Sequence, residues 1–583
     1  MNSKIIKDFY KNIAVVISFF LISVIYVEIF LKRGIIIPSD DRGFNIERLE
    51  EAYMNFKSGH LFSAISTFSA SRIGQAIGTY YPSGNLIIYA IIRTIIHKPL
   101  TSYYIYTMVG KFLGLAIAYI SCKYVLNRRD TAYVFSILYS LAPYIMSNDY
   151  VRFDIGESWA AIFFPMIFAG MYLVMFSMER KKLRGALMLT LGLAFAFVTY
   201  SHVLSAVMSI LILLLLYLFT LKFQKDKIEN IKLLVISAVL YFISVAGFIV
   251  PFVKSMLSNN INTPGIDSFG TTGMLDMSGL VNESIKNSLS FNKPNIGIIL
   301  IIIVFVGMSS VFSGKIFDKF IYTCGIVLLI CSTSIIPWNL LAKTPIEIIQ
   351  YPWRLLSFSI LFLSLYAAII ICNNRAKSLK FLVVACSVLF SMSTLIQCRN
   401  YGDSISNYDA AGPLGHLKID SSNYSNAVSI NRDINLSATH RDYLPENSLG
   451  KSADMFIHNA YVNDKKYFIS RNKIISGYQS ETFKLEKITR KRAEVVIPFV
   501  IYNEKDYKVT INGSRIKFKK DNSSRLSFQK PADISNMKIK IEYITPKYVK
   551  IIRAVSLGVI LLLCIGFIFN EFSIIKGYSV KYD

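Results

Sequence analysis

Long apolar runs alternate with short basic stretches along most of this chain. The runs fall near 13–31, 103–124, 131–147, 159–178, 184–200, 203–222, 232–253, 295–312, 318–337, 354–372, 380–397 and 549–570. Each is about as long as a helix must be to cross a hydrocarbon core about 30 Å thick. The pattern predicts about twelve membrane spans. One further apolar run, Leu86 to Ile96, is too short to cross and is expected to dip into the outer leaflet or lie on it. Just after the first run, Ile46, Leu49, Tyr53 and Phe56 recur at helical spacing between charged residues, which predicts an amphipathic helix along the membrane surface.

From about Cys398 the period changes to two. Lys508–Phe518 reads as two alternating runs around Asn512-Gly513, a type I′ hairpin signal, and Met537–Ile544 alternates likewise. Arg492–Val500 reads as a third strand, which Pro498 would place at a sheet edge. The expected fold is a polytopic α-helical membrane protein with an extracytoplasmic β-rich, sandwich-like domain. The expected divisions are a transmembrane domain over 1–397 with an outer loop at 32–102, a β-rich domain over 398–548, and a final span with its tail over 549–583.

Composition agrees with a membrane protein. Of 583 residues, 53% are hydrophobic and 17% charged, and mean hydropathy is +0.45. A net charge of +26 could suggest nucleic acid. Its placement excludes that partner: Lys and Arg concentrate in Lys123–Arg129, Arg180–Arg184, Lys222–Lys232, Lys315–Lys319, Arg375–Lys380 and the N-terminal tail, with others along the polar segment near the C-terminus. Such loops set orientation, so both termini are expected in the cytoplasm and the β domain outside. The seven cysteines form no CxxC pair, and nearly all lie in apolar runs, so neither a disulfide framework nor a cysteine metal site is expected. The long loop from Lys254 to Lys293 is a candidate lid or binding loop.

This topology places the notable polar residues on one side. Asp40 and Asp41 sit where the chain leaves its first span, with Arg48 just beyond. Arg152, Asp154 and Glu157 join spans three and four, His202 stands at the outer turn between spans five and six, and Arg354 opens span ten. Alone, each has an ordinary structural use. Asp41 suits a helix cap. Arg152, Asp154, Glu157 and Arg354 suit ion pairs and interface anchoring beside Trp159 and Trp353, and His202 suits a hydrogen-bonded packing position. Together, the carboxylates could activate a hydroxyl or hold a divalent cation, and the arginines with His202 suit a phosphate. No P-loop, dinucleotide fingerprint, HExxH or Ser/His/Asp order is present, so a lipid-linked phosphate donor fits better than a soluble nucleotide.

The stretch Asp41-x-x-Phe44 with Arg48, then Tyr80-Tyr-Pro-Ser-Gly84, resembles the first outer loop of GT-C glycosyltransferases. Arg152-x-x-x-x-Glu157, Ser201-His202, Tyr351-Pro-Trp-Arg-Leu355 and Tyr443-Leu-Pro445 extend the resemblance to bacterial YfhO-like and 6-pyruvoyl-tetrahydropterin-synthase-related membrane proteins. Asn45 stands where relatives often have His, which puts any role of that His in doubt here. The resemblance implies an enzyme of the bacterial cytoplasmic membrane that uses a polyprenyl-phosphate-linked sugar on the outer face. Asp41 or Asp40 would be the base, Arg152, Arg354 and His202 would hold the donor phosphate, and Asp154, Glu157 and Arg48 would support them. The acceptor would be a cell-wall polymer, polysaccharide or glycolipid. No cofactor is required, although Asp40, Asp41, Asp154 and Glu157 could hold Mg or Mn. The rival readings are a transporter or flippase of a lipid-linked glycan and a non-catalytic surface protein on the same scaffold.

Overall fold

A computed structural model describes residues 3–37, 39, 41–176, 183–263, 269–270, 274–289, 293–374, 376–405, 419–420, 441–490, 492–532 and 534–580. Its helices begin with α1 (Ser3–Leu31), α2 (Arg42–Lys57), α3 (Ile77–Tyr80), α4 (Leu86–Ile96), α5 (Pro99–Leu126) and α6 (Arg129–Ser140). They continue with α7 (Pro143–Tyr150), α8 (Ile155–Phe176), α9 (Leu183–Ser201), α10 (Val203–Thr220), α11 (Lys227–Ser258) and α12 (Met277–Lys286). Then come α13 (Ile298–Ser313), α14 (Ile316–Cys331), α15 (Leu356–Asn373), α16 (Lys377–Ile405) and a last helix, Lys547–Val580.

Among the described residues, each of the twelve apolar runs lies wholly or mostly on helix. Among the described residues, eight helices are long and apolar enough to cross a membrane: Tyr10–Leu31, Pro99–Leu126, Ile155–Phe176, Val203–Phe223, Lys227–Ser258, Pro352–Asn373, Lys377–Asn400 and Lys547–Ile568. The other four runs map to α9, α13, α14 and the α6–α7 pair. The run expected as one span over 131–147 is broken. Pro143 has no N–H to continue the ladder and holds the preceding Ala142 extended, at ψ 141°. Leu86–Ile96 is the short helix α4, packed on α2 and α5.

Helix α2 departs from the amphipathic surface helix expected. Its buried residues are Arg42, Asn45, Ile46, Glu47, Arg48, Leu49, Glu51 and Asn55, which do not form a single apolar stripe. The polar ones hold the loop over 62–80. Glu51 accepts from the Phe68 N–H at 2.9 Å and the Ser69 hydroxyl at 3.0 Å, and Glu47 accepts from the Ala70 N–H at 3.1 Å. They brace a left-handed turn, with φ 51° at Ala70, 56° at Ser71 and 54° at Arg72. Non-glycine residues rarely adopt this conformation consecutively.

The β-rich domain is a two-sheet sandwich. One sheet runs in the order β10 (Lys519–Lys520), β11 (Arg525–Gln529), β7 (Glu494–Val500), β3 (Asn459–Val462), β4 (Lys465–Phe468). The other runs β5 (Ile474–Gly477), β6 (Ser480–Leu485), β12 (Met537–Tyr543), β8 (Tyr507–Ile511), β9 (Ser514–Arg515). A small pair, β1 (Ile35–Ile36) with β2 (Ile419–Asp420), follows α1. Asn512 and Gly513, at φ 50° and 90°, close the β8–β9 hairpin as the type I′ signal requires.

Pro498 is not at an edge. Its strand β7 is central, and the proline is tolerated because the β11 register slips there: Arg525 pairs with Val500 and Leu526 with Ile497. The same end of β7 docks on the membrane domain, where Val500 N–H donates to Ile73 O at 2.8 Å. At Gly74, φ +74°, any Cβ would collide with the Phe499 ring, so only glycine seats the sandwich there. The loop singled out at 254–293 is partly helical: Asp276 caps α12 through the Gly279 N–H, and Ile261 bridges to Pro445.

Candidate functional site

The α7–α8 connection carries the centre of the site. Arg152 Nη1 donates to Glu157 Oε2 at 2.8 Å and to Asn148 Oδ1 at 2.8 Å, and its Nη2 lies 3.2 Å from Asp154 Oδ2. Asp154 Oδ1 also accepts the Glu157 N–H at 3.0 Å, capping α8. Glu157 takes the Tyr144 hydroxyl at 2.7 Å on its other oxygen. Arg354 reaches the same carboxylate from the segment before α15, with Nε 3.4 Å from Oε2. Its Nη1 donates to Ile349 O and Gln350 Oε1, at 3.1 and 2.6 Å. All four charged side chains are buried or nearly so, and two arginines balance two carboxylates.

His202 closes the cluster from the α9–α10 junction. Its Nδ1 pairs with Ser205 Oγ at 2.8 Å. A Cβ at Gly156 would lie 2.5 Å from the Tyr81 hydroxyl and 3.2 Å from His202 Cδ2, so this glycine lets three segments meet. Burial lowers the His202 affinity for a proton; Asp154 opposes that and Arg354 reinforces it, and the net shift is down. Burial would raise Asp154, but His202, Arg152 and Arg354 outweigh it and hold its carboxyl below the usual range.

Asp41 stands beside this cluster at the N-cap position of α2, and its side chain makes no cap hydrogen bond. Instead the main chain is fixed: its N–H donates to Arg152 O at 2.9 Å, and its carbonyl accepts from the Asn45 N–H at 2.9 Å. The side chain is half-buried. Asn45 Nδ2 donates to Phe153 O at 2.8 Å, and Phe153 itself has φ 56°, a costly conformation for a bulky residue.

Arg48 donates to Asn45 Oδ1 and to Pro82 O, both at 2.7 Å, and lies 3.9 Å over the Tyr81 ring. Burial, then Asp154, pushes the Tyr81 hydroxyl up; Arg48 opposes and Asp41 adds to the rise. Tyr443, from the segment leading into the sandwich, packs edge-on against Tyr81 with centroids 6.5 Å apart. Its own hydroxyl is pushed up by burial first and by Asp41 and Asp154 among its neighbours.

The residues singled out from sequence therefore converge. Arg152, Asp154, Glu157, Arg354 and His202 form one network, with Asp41 and Arg48 against it. Asp40 lies outside the described residues. The carboxylate oxygens of Asp154 and Glu157 are engaged by arginines, a hydroxyl and a backbone N–H, which does not suit them to a cation. Among the described residues no group of three His, Cys, Asp or Glu side chains is placed to hold a metal.

A second polar cluster lay unread in the sequence. Lys111 Nζ, inside α5, is 3.1 Å from Asp149 Oδ2 and donates to Ser140 O at 3.0 Å, a carbonyl left by the α6–α7 break. The Tyr26 hydroxyl donates to the same Asp149 oxygen at 2.6 Å. A cavity of about 30 Å³ adjoins Lys111, Ser140, Asp149 and Asn148. The available signal was a lysine within an apolar run together with a proline in the run that follows.

The fold and site define a polytopic α-helical membrane protein whose β-rich domain docks beside a buried ion-pair network. Residues 79–401 match the 6-pyruvoyl-tetrahydropterin synthase related domain, a membrane protein family, and the chain belongs to that family. No curated relative matches the chain. Among solved structures it is similar to ArnT from Cupriavidus metallidurans bound to undecaprenyl phosphate, at 12% identity over 72% of this chain and 69% of that one, with a TM-score of 0.39. A likeness that remote says nothing of activity.

Proposed function

We propose that this protein is a membrane glycosyltransferase that moves a sugar from a polyprenyl-phosphate donor to an acceptor hydroxyl on the side of the β domain. The observation that carries the reading is the tether of Asp41 to Arg152. It fixes the main chain of a half-buried carboxylate at the rim of the charge-balanced ion-pair network, beside Tyr81 and Tyr443. In this reading Asp41 takes the acceptor proton as the acceptor oxygen attacks the anomeric carbon. The bond from that carbon to the phosphate oxygen breaks, the electron pair leaves with the phosphate, and the configuration inverts.

Arg354 and His202 are better placed for the leaving phosphate than Arg152. Arg152 spends both terminal nitrogens on Glu157, Asn148 and Asp154. Arg354 keeps Nη2 out of its pairs, and His202 keeps Nε2 out of its bond to Ser205. Glu157 and Asp154 then hold the arginines in place, and no step needs a metal. The basic loops orient the site outward in a bacterial cytoplasmic membrane, with the termini inside.

A deletion strain tests this directly by mass analysis of its envelope polymers and glycolipids. Loss of one sugar decoration is the expected result; unchanged glycans would overturn the reading. One observation favours a second reading, movement of a lipid-linked glycan. A broken helix with a buried Lys–Asp pair inside the membrane domain is a feature of transport sites.

A further inference from the structure

Arg553 lies outside the network above and, among the described residues, pairs with no acid. The last helix approaches α11 at Gly247, where a Cβ would lie 2.9 Å from the Arg553 Cα. Gly247 N–H donates to Ser556 Oγ at 2.9 Å, and that hydroxyl donates to Ile243 O at 2.7 Å, which fixes the pairing of the two helices. Arg553 thereby lines a cavity of about 20 Å³ with Phe62, Ser83, Tyr200, Phe248 and Leu557. Its one hydrogen bond among the described residues runs from Nε to Gly247 O at 3.4 Å, and its guanidinium carbon is 5.8 Å from the Phe62 ring centre. The titratable groups around it are the phenols of Tyr200, Tyr478 and Tyr543, which are neutral donors.

The surrounding charge is also basic. Lys550 is one helical turn before Arg553 and exposed, as is Lys547. Lys254, at the adjoining end of α11, donates to the Tyr548 hydroxyl at 3.0 Å. Asp506 faces Lys254 and Tyr543. Arg152 and Arg354 share Glu157, and Arg48 is held by Asn45 and Pro82. A half-buried guanidinium with only uncharged partners among the described residues is under-satisfied until an anion completes it.

We propose that Arg553 and Lys550, with Ser83 and Lys254 at the rim, hold the phosphate of a lipid lying against α11 and the last helix. The guanidinium fork and the lysine point charges suit a phosphate. The cavity accommodates a single phosphate oxygen, and the rest of the headgroup meets the lysine rim. Phe248 and Leu557 line the cavity with apolar surface for the chain. The site does not depend on the glycosyltransferase reading. A glycerophospholipid and a polyprenyl phosphate present the same group.

Native mass spectrometry of the full-length protein released from nanodiscs of mixed phosphatidylglycerol and phosphatidylcholine tests it. Wild type should retain phosphatidylglycerol over phosphatidylcholine. Arg553→Gln should lower that retention about tenfold or more, whereas Lys465→Gln, on the far strand β4, should not. Arg553→Lys keeps the charge and should retain part of the binding; it carries the test if the Gln variant does not fold. Added undecaprenyl phosphate distinguishes the sources: displacement of phosphatidylglycerol assigns the site to the polyprenyl lipid, and no displacement assigns it to the phospholipid. Retention in both Arg553 variants equal to wild type, or no preference in wild type, would overturn the proposal.

Discussion

Asp41 and the Asp154–Glu157 pair are acids of one site in opposite surroundings. The pair is buried and neutralised: Glu157 alone meets Arg152, Arg354 and Tyr144, and Asp154 meets Arg152 and the α8 N-terminus. Asp41 is half-buried, held through its main chain, and flanked by Tyr81 and Tyr443. A carboxylate locked between arginines is a poor proton acceptor, because its charged form is held too strongly. In the proposed reading the pair positions the arginines and Asp41 takes the acceptor proton.

The largest effect should come from breaking the paired side on one partner. Glu157→Gln leaves Asp154 alone to face Arg152 and Arg354, and should cost about 3–5 kcal/mol of stability, as removal of one member of a buried pair does. Denaturant unfolding in detergent would show it; a variant as stable as wild type would mean that the network is loosely held. Next, Arg354→Ala should weaken binding of a polyprenyl-phosphate sugar by about 1.5–3 kcal/mol, the scale of a charge-assisted bond. Unchanged donor affinity would make Arg354 an anchor and nothing more. Gly74→Ala forces a Cβ into the Phe499 ring and should cost about 1–3 kcal/mol. It disturbs the seat of the β domain, so sugar transfer should suffer while the Arg152 network stays intact.

The smallest effect is one of pH. His202 has a lowered proton affinity in the folded state, so below about 6.5 the unfolded chain binds more protons there. Stability should therefore rise with pH through that window and fall as the solution is acidified. His202→Gln should flatten the profile; an unchanged slope would place His202 in a solvated setting.

Much of this was legible in the sequence. Hydrophobic period located every run that became a helix, and period two located β8, β9 and β12. Its failures have local causes. Pro143 breaks a run that hydropathy reads as continuous. Pro498 sits in a central strand because a register slip removes the need for its missing N–H. Helix α2 looked amphipathic because Ile46 and Leu49 recur correctly, but Glu47 and Glu51 are buried too, against backbone N–H groups over 67–70 that no spacing reveals. Arg152, Asp154, Glu157, His202 and Arg354 could be singled out as charges at span ends. Their convergence could not, since it depends on packing of the α7–α8 connection, the α9–α10 junction and the approach to α15.

The contrast between the two kinds of carboxylate is tested most directly by sugar transfer from a synthetic polyprenyl-phosphate sugar with purified Asp41→Asn protein. Asparagine keeps the size and the helix start but cannot accept the proton. Turnover should fall at least about a hundredfold, the lower range for a general base, with unfolding and donor affinity unchanged. Near-normal transfer by Asp41→Asn, and by the double variant with Asp40→Asn, would contradict the assignment of Asp41 as the base.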